Sequence, residues 1–561
     1  MLSETIEACL GYRECDLVLE GPVFNPYTQK IEYERLGVYR GKFVGFSKDL
    51  MGKMLEFDGI LIPGLIDAHI HIESSMLIPR EFARVVLPRG TSTVVCDPHE
   101  IANVLGKEGI NFMIDDSKAT PLNFYFLAPS CVPSSNLETS GAKIDSKDIE
   151  EILELKEIIG LGEVMNFPAV IEREPEILRK IGISKEKIIE GHCPGLKGKE
   201  LNAYLSTGII SDHECSDKDE AIEKLKRGIY LMIREGTASK NLHDLAEVIK
   251  EVCGRRCILV SDDRDPIDLK REGHVDHLVR RAIEEGIDPE IAVTLVTLNP
   301  SEYLRLKIFS PGSNADFVIV DSLDDFNVMF NIVNGEVVSE KGILKIDIPE
   351  YKGIHKDTMN LGEISSKDFL LRTDKENTRV KVIEIVEGQI FTRKRVFPME
   401  GKELSSDTER DILKIAVVER HKNSGRISKG FVHGFNLKKG AIASSISHDS
   451  HNIIAVGVED DSIAKAVNEV KRMKGGISCV LEGKTISLAL PVGGLMSNRP
   501  VEYVSSNLEK INETIRNMGC NLRNPVMTLS FLALPVIPEL KITDYGLVEN
   551  FKVVDLEESD E

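Results

Sequence analysis

The chain has 561 residues, 42% of them hydrophobic and 29% charged, with a formal net charge of −21. This length exceeds what one hydrophobic core supports, so we expect two to four domains. The acidic balance argues against binding to the nucleic-acid backbone, which requires a basic surface.

Neither the cysteines nor the N-terminus indicates an exported protein. The 10 cysteines show no spacing of a disulfide framework or a zinc ribbon, and we expect reduced, mostly buried thiols. The N-terminal residues are acidic where a signal peptide would be basic. No stretch approaches the length of a membrane span. We therefore expect a cytoplasmic protein with no membrane or nucleic-acid partner.

Short alternating segments flank the central part of the chain. Four of them lie near the N-terminus: Asp16–Glu20, Leu36–Tyr39, Phe43–Phe46 and Met54–Phe57. Alternation with a period of two is typical of half-buried antiparallel strands. Similar stretches follow at 312–321 and 328–338. We expect residues 1–60 and 307–345 to form one small β domain from both flanks.

The central region, residues 61–306, alternates apolar runs with helical patterns. The apolar runs predict eight strands: Leu61–His71, Thr91–Cys96, Asn123–Ala128, Ile158–Val164, Lys187–His192, Gly208–His213, Gly228–Ile233 and Cys257–Ser261. The helical patterns include Asp217–Arg227, Leu242–Val252, Val275–Glu285 and Pro289–Leu298. Eight strands alternating with helices over about 250 residues predict a (β/α)8 barrel.

Candidate metal ligands lie at the ends of these predicted strands, where such barrels carry their chemistry. His69 and His71 end the first run, and residues two apart in a strand point to the same side. The other run ends supply further candidates: Glu163, His192, His213 and Asp262. Imidazoles and carboxylates converging at one rim predict a metal site.

The rest of the chain predicts a linker and a third domain. Residues 346–380 are charged and irregular, as in a linker. Residues 381–561 mix strand and helix patterns, as in an α+β domain, with strands expected at Lys414–Val418, Ile453–Val458 and Thr485–Leu490 and helices at Asp460–Met473 and Pro500–Met518. Within it, His448, Asp449 and His451 form either a further metal cluster that closes the barrel mouth or a polar loop. Both interpretations stay open.

With the strands placed, the pattern resembles the amidohydrolase superfamily and, within it, the adenine deaminase branch. The segments that carry the resemblance are His69–Ser75, Thr93–Asn103, Gly162–Phe167, Gly191–Gly195, Ser211–Cys215, Ser261–Asp263, Ser447–Asn452 and Pro491–Gly494. Glu163 stands where hydantoinases and dihydroorotases carry a lysine, and Gly195 stands where adenosine deaminases carry a catalytic glutamate. The implied fold class is α/β: a (β/α)8 TIM-type barrel of the amidohydrolase kind, a small flanking β domain and an adenine-deaminase-type C-terminal domain.

The resemblance implies a metal-dependent hydrolase that converts adenine to hypoxanthine and ammonia in purine salvage. Two divalent ions are expected, one held by His69, His71 and Asp262, the other by His192 and His213, with Glu163 between them. The resemblance favours manganese or iron, and the ligand types also suit zinc. A metal-activated hydroxide would attack C6 of the base.

Loss of ammonia also requires proton transfer. Asp262 is the first candidate and Glu214 the second, although Glu214 is equally well interpreted as an outer carboxylate or a salt bridge at the rim. Arg234, Glu73 and His99 are candidates for substrate binding. For Arg234 we favour a surface ion pair with a glutamate.

The residues that follow the second predicted strand allow two interpretations. Asp97 is expected to cap a helix that Pro98 opens, and the alternative is a loop over the site or an extra metal ligand.

Two other functions remain open for the whole protein. One is a cyclic amidohydrolase of the hydantoinase or dihydroorotase kind, and the other is a non-catalytic assembly protein on the same barrel. We expect a homo-oligomer and assume a dimer.

Overall fold

The computed structural model describes residues 2–353 and 356–558. Helix α1 (Leu2–Cys9) precedes five strands: β1 (Cys15–Asn25), β2 (Lys30–Tyr39), β3 (Lys42–Phe46), β4 (Gly52–Glu56) and β5 (Ile60–Pro63). Strand β2 pairs antiparallel with both β1 and β3. Strands β4 and β5 instead run parallel to β1, so the expectation of a purely antiparallel unit was wrong.

Eight parallel strands form the barrel: β6 (Leu65–Ile70), β7 (Thr91–Cys96), β8 (Asn123–Ala128), β9 (Ile158–Val164), β10 (Ile188–Gly191), β11 (Ser211–Asp212), β12 (Tyr230–Arg234) and β13 (Cys257–Val260). Strands β6 to β10 pair in chain order, as do β11 to β13. The two sheets meet where the N–H of Ile210 donates to the carbonyl of Ile189 at 3.3 Å. They meet again where the N–H of Asp262 donates to the carbonyl of His69 at 3.2 Å, which closes the barrel.

The helices that follow these strands are α2 (Pro79–Val86), α3 (His99–Leu105), α4 (Lys107–Ser117), α5 (Ser146–Leu153), α6 (Phe167–Ile171), α7 (Pro175–Ile183), α8 (Gly198–Leu205), α9 (Lys218–Leu225), α10 (Leu242–Glu251), α11 (Pro266–Arg271), α12 (Val275–Glu284), α13 (Pro289–Thr294) and α14 (Leu298–Tyr303). The predicted helix Pro289–Leu298 therefore ends earlier, at Thr294, and a separate helix begins at Leu298. Eight parallel strands alternating with helices confirm the α/β fold class and the barrel expected from the sequence.

The predicted first strand, Leu61–His71, is also divided. Its first part is β5 in the β domain, and its second part is β6 in the barrel. Gly64 lies between them, and a Cβ there would collide with the side chain of Ser92. The apolar character of both parts concealed this boundary, because hydrophobic periodicity alone does not show where a chain passes from one sheet to another.

After the barrel the chain returns to the N-terminal sheet through β14 (Phe317–Val320), β15 (Val328–Val333), β16 (Glu336–Glu340) and β17 (Ile343–Leu344). Strand β14 pairs antiparallel with β5, so both flanks of the barrel share one nine-stranded sheet. The β domain thus joins the barrel directly before its first strand and after its last helix.

The C-terminal region begins before residue 381. Residues Ser366–Phe369 form a 3-10 turn, and the buried Phe369 packs in the core of this region. The strands are β18 (Leu371–Arg372), β19 (Asn377–Ile385), β20 (Thr392–Glu400), β21 (Glu403–Leu404), β22 (Leu413–Val418), β23 (Ile427–His433), β24 (Ala441–Ser444), β25 (Ile453–Gly457), β26 (Gly476–Leu481), β27 (Lys484–Ala489), β28 (Leu540–Thr543), β29 (Gly546–Glu549) and β30 (Lys552–Val554). The helices are α15 (Asp460–Arg472), α16 (Val501–Asn517) and α17 (Pro525–Phe531). Part of the predicted linker is therefore folded.

The C-terminal domain lies on the rim of the barrel where the strands end. The N–H of Ser497 donates to the carbonyl of Met76 at 2.8 Å, and the N–H of Ile78 donates to the carbonyl of Ser497 at 3.2 Å. Asn452 donates to the carbonyl of Thr139 at 2.8 Å. Within residues 2–353 and 356–558 we find no helix with the length and apolar character needed to cross a bilayer.

Candidate metal centre and active site

The six side chains expected as metal ligands lie together at this rim. They occupy the ends of five strands or the positions just beyond them. All of them are buried: His69, His71, Glu163, His192, His213 and Asp262. Their ligand atoms fall into overlapping groups of three, and within each group the atoms lie within 4.8 Å of one another. Nitrogen and carboxylate ligands at this spacing could hold metal ions.

Glu163 lies between the two pairs of histidines. Its Oε1 is 3.2 Å from Nε2 of His71. Its Oε2 is 3.2 Å from Nε2 of His213 and also contacts Nδ1 of His192. The backbone N–H of Glu163 donates to the carboxylate of Asp97 at 3.0 Å, which holds the end of β9. The two carboxylate oxygens therefore face different histidines, the arrangement needed to bridge two cations.

The rings of His69 and His71 are oriented by hydrogen bonds on their outer nitrogens. Nδ1 of His69 donates to Oε2 of Glu190 at 2.8 Å, and Nδ1 of His71 donates to the carbonyl of Asp97 at 3.0 Å. In the neutral ring the lone pair is then on Nε2, which faces the cluster. A metal-ligating histidine is typically held in this way.

The carboxylates and histidines of the cluster shift one another's pKa values. Although burial lowers the pKa of His69, the carboxylates of Glu190 and Asp262 raise it to about 10. Burial would raise the pKa of Glu163, yet His192 and His213 hold it well below its usual range. Buried charges of this density require compensation. A divalent cation at the group of nitrogen and carboxylate atoms would supply it.

Asp262 adopts a backbone conformation that is rare for its residue type. Its φ is +53°, and a left-handed conformation outside glycine costs about 1–3 kcal/mol and is typical of functional sites. Oδ1 lies 3.4 Å from Nε2 of His69 and 3.3 Å from Nε2 of His71. Oδ2 accepts a hydrogen bond from Arg234 at 3.2 Å. The carboxylate is therefore held on both sides.

Arg234 is buried, which corrects the expected surface ion pair. Its guanidinium contacts both carboxylate oxygens of Glu214, with Nη2 at 3.1 Å from Oε2. Nε donates to Oδ1 of Asn241 at 3.2 Å. Strand β11 ends at Asp212, so the side chain of Glu214 can turn towards the candidate ligands. Its Oε1 lies 3.6 Å from Nε2 of His213. Arg234 thus connects Glu214 and Asp262 within the site.

Glu73 and Asp97 occupy different positions from those expected. The strand has ended at Ile70, and Glu73 lies in a short 3-10 turn from which its Oε1 accepts the N–H of Ile101 at 3.1 Å. The side chain of Glu73 therefore contacts helix α3 and does not line the cavity above the candidate ligands. Pro98 is the N-cap of α3 and no side chain caps it, so the expected cap by Asp97 is wrong. The carboxylate of Asp97 instead accepts the backbone N–H of Glu163.

A cavity lies above the cluster. The barrel supplies its polar wall, including His99, Glu100 and Asp263 in addition to the candidate ligands and the Glu214–Arg234 pair. The C-terminal domain supplies the opposite wall: Ile390, His448, Asp449, Phe531, Leu534 and Val536. His99 lies 3.5 Å from Glu163 and 3.7 Å from Asp449, between the two walls.

The loop of His448, Asp449 and His451 is buried against the barrel, and His448 and Asp449 line the cavity. Nδ1 of His448 is 3.4 Å from Oε1 of Glu100. Nδ1 of His451 accepts the N–H of Ser447 at 3.1 Å. Nε2 of a neutral His451 ring therefore carries the proton and offers a metal no lone pair.

Sequence reasoning missed two groups of residues. Glu190 lies two positions before His192 in β10, and its position in the strand could have indicated that it faces inward. Ile390, Phe531, Leu534 and Val536 come from the C-terminal domain, and no local pattern predicts that they reach the barrel mouth.

Two family models match this chain. The amidohydrolase family model matches residues 60–338, which include the barrel. The model of the adenine deaminase C-terminal domain matches residues 389–552. The two matches correspond to the two walls of the cavity.

Curated relatives match over almost the whole chain. An adenine deaminase of Dehalococcoides mccartyi is 45% identical over 98% of this chain and 97% of its own length. An adenine deaminase of Archaeoglobus fulgidus is 45% identical over 99% of this chain and 98% of its own. One of Thermosipho africanus is 42% identical over 99% of each. The chain belongs to the adenine deaminase family of amidohydrolases.

Proposed function

We propose that this protein is an adenine deaminase, which hydrolyses adenine to hypoxanthine and ammonia. The observation that carries the proposal is the placement of Glu163 between two pairs of histidines in a cavity whose other wall is the adenine-deaminase-type domain. The names of the curated relatives support the choice of substrate. Consumption of free adenine would assign the protein to purine salvage.

The residues in the cluster suit two divalent metal ions. We assign His69, His71 and Asp262 to one ion, His192 and His213 to the other, and Glu163 to both. The fit rests on buried nitrogen atoms that lack hydrogen-bond partners among the described residues, such as Nε2 of His69, and on the buried carboxylates of Glu163 and Asp262 beside them. Nitrogen and carboxylate ligands without thiolate suit manganese or iron, and also zinc. When bound, such ions lower the pKa of water and supply hydroxide at neutral pH.

Asp262 is the residue best placed to move a proton. Its carboxylate lies within 3.4 Å of His69 and His71, and Arg234 orients it. It can accept the proton of the attacking water and pass it to the departing amine. Both carboxylate oxygens of Glu214 are held by the guanidinium of Arg234. We assign Glu214 to orienting Arg234 and not to proton transfer.

Glu100 is a candidate proton donor to the ring of the base. It lines the cavity, and its Oε2 has no hydrogen-bond partner among the described residues. Burial, reinforced by the nearby carboxylate of Glu73, raises its pKa well above the usual range. A carboxyl group with a raised pKa retains a proton that it can donate at neutral pH.

The experiment that tests this function is a substrate panel on manganese-loaded protein, with released ammonia as the readout. Adenine is expected to release ammonia, and adenosine, guanine and cytosine are not. Hydantoin and dihydroorotate, followed by ring opening, test the cyclic amidohydrolase alternative. Ammonia from adenosine but not from adenine would refute the substrate assignment. A protein inert to the whole panel, with no bound metal, would favour the assembly protein.

The outer hydrogen bond of His69 gives a further prediction. Replacing Glu190 by glutamine is expected to weaken metal binding about 10–100-fold, because an amide NH2 can face Nδ1 and no longer fixes the ring orientation. The measurement is metal retained after dialysis against a graded series of chelator concentrations. Glu186, exposed in the preceding turn, supplies the control: E186Q should retain metal as the wild type does. Equal retention in E190Q would show that this hydrogen bond does not support the site.

A further inference from the structure

The wall that the C-terminal domain contributes to the cavity is mostly apolar. Four of its side chains there are Ile390, Phe531, Leu534 and Val536, and the polar ones are His448 and Asp449. Asp449 faces His99, with Oδ1 at 3.7 Å from Nε2. A purine carries ring nitrogens around its whole edge, so the part of the base turned to this wall needs a polar partner. His448 is the residue placed to provide it.

The imidazole of His448 is held in a defined plane. Its ring stacks on Phe531 with the centroids 4.3 Å apart and an angle of 6° between the planes. Its Nδ1 lies 3.4 Å from Oε1 of Glu100 and 3.7 Å from Oδ1 of Asp449. Packing on one face leaves the ring edge to make directional contacts. A side chain fixed in this way binds a ligand at little cost in conformational entropy.

The charge state of His448 suits a neutral heterocycle. Burial lowers its pKa, and the effect exceeds that of the carboxylates of Asp263 and Asp449, which raise it. A neutral imidazole has one N–H donor and one lone pair, so it can face either an N–H or a bare nitrogen of a purine.

We propose that His448 binds the substrate by a hydrogen bond from its ring edge to a ring nitrogen of the purine, so that the C-terminal domain recognises the base that the barrel deaminates. This inference rests on the proposed function and adds a substrate-binding residue to it. It also gives the C-terminal domain a role: the barrel supplies the reacting groups and the C-terminal domain holds the base.

A metal site at the same place would be the competing role. Glu100, His448 and His451 lie close enough to hold an ion. However, the hydrogen bond from the N–H of Ser447 occupies Nδ1 of His451, so binding through Nε2 would require an imidazolate. The parallel ring of Phe531 on His448 is also a hydrophobic contact. The geometry therefore favours an organic ligand.

The test compares H448F, which retains a flat ring for the stack on Phe531 but has no ring nitrogen, with H448Q, which restores a donor and an acceptor. We expect H448F to raise KM for adenine and the Kd for hypoxanthine about tenfold each, the loss expected for one hydrogen bond, with a smaller change in kcat. H448Q should recover part of the affinity. Hypoxanthine binding is measured by calorimetry on the metal-loaded protein, so this readout does not depend on turnover.

The matched control is H433F. His433 also stacks on a phenylalanine ring of the same domain, Phe397, with centroids 6.0 Å apart, and it does not line the cavity. H433F should leave KM and Kd unchanged. Unchanged Kd and KM in H448F, or lost metal with unchanged Kd, would overturn the inference. A wild type that binds hypoxanthine but does not deaminate adenine would instead refute the proposed function, and the Kd of H448F would still decide the role of His448.

Discussion

Replacing Asp262 by asparagine is expected to lower kcat for adenine about 10²–10⁴-fold, the contribution typical of a positioned acid or base. The amide has nearly the shape of the carboxylate, so the hydrogen bond from Arg234 to Oδ2 can persist. It cannot take up a proton from water at neutral pH. The loss should therefore appear in kcat, measured by ammonia release at saturating adenine.

The control for D262N is D268N, which makes the same change in a buried aspartate six residues along the chain. Asp268 accepts a hydrogen bond from Thr237 at 2.8 Å and does not line the cavity. D268N should retain kcat within about twofold, because Asp268 lies outside the cavity and is not one of the candidate ligands. If D262N kept full activity with normal metal content, Asp262 would have no part in proton transfer.

Replacing Glu163 by glutamine is expected to cause the second large effect: loss of bound metal together with activity. Its two oxygens face His71 on one side and His213 on the other. An amide presents one oxygen and one NH2 group, and the NH2 group cannot act as a ligand. Metal analysis after gel filtration should show less than the approximately two ions per chain that we propose for the wild type.

Glu157 provides the control for E163Q. It immediately precedes β9, at the opposite end of that strand, and pairs with Lys118 at 3.6 Å. Since the N-terminal face of such a barrel contributes to stability and not to chemistry, E157Q should keep both metal and activity. If E163Q retained a full complement of ions, Glu163 would not bridge them, and the carboxylate would have to be reassigned.

The histidines that follow the strands were predictable because they depend on local periodicity. A buried strand of known direction puts residues such as His69 and His192 at its C-terminal end, and parallel strands of one barrel bring those ends to a single rim. The residues of the turns were less predictable. Glu73 was misplaced because the strand ends at Ile70 and a short 3-10 turn follows, a change of period that the alternating pattern does not show.

The contacts that complete the site join residues that are far apart along the chain. Glu190 bonds His69 across 121 residues of sequence, and Asn452 of the C-terminal domain bonds the carbonyl of Thr139 across 313 residues. The stack of His448 on Phe531 lies over a cavity whose other wall is the barrel. The packing of whole domains selects such pairs, and hydrophobic patterns within one element carry no record of it.

The sequence by itself determined the barrel and the six candidate ligands, because strand period and residue type suffice for both. Its motifs also carry the resemblance that indicates adenine deamination. Only the tertiary structure decided which groups orient those ligands, that Arg234 is buried, and that the C-terminal domain closes the cavity with an apolar wall and one neutral histidine. These features depend on the packing of the C-terminal domain against the barrel. Burial between the two domains determines the charge state of each group and its hydrogen-bond partners.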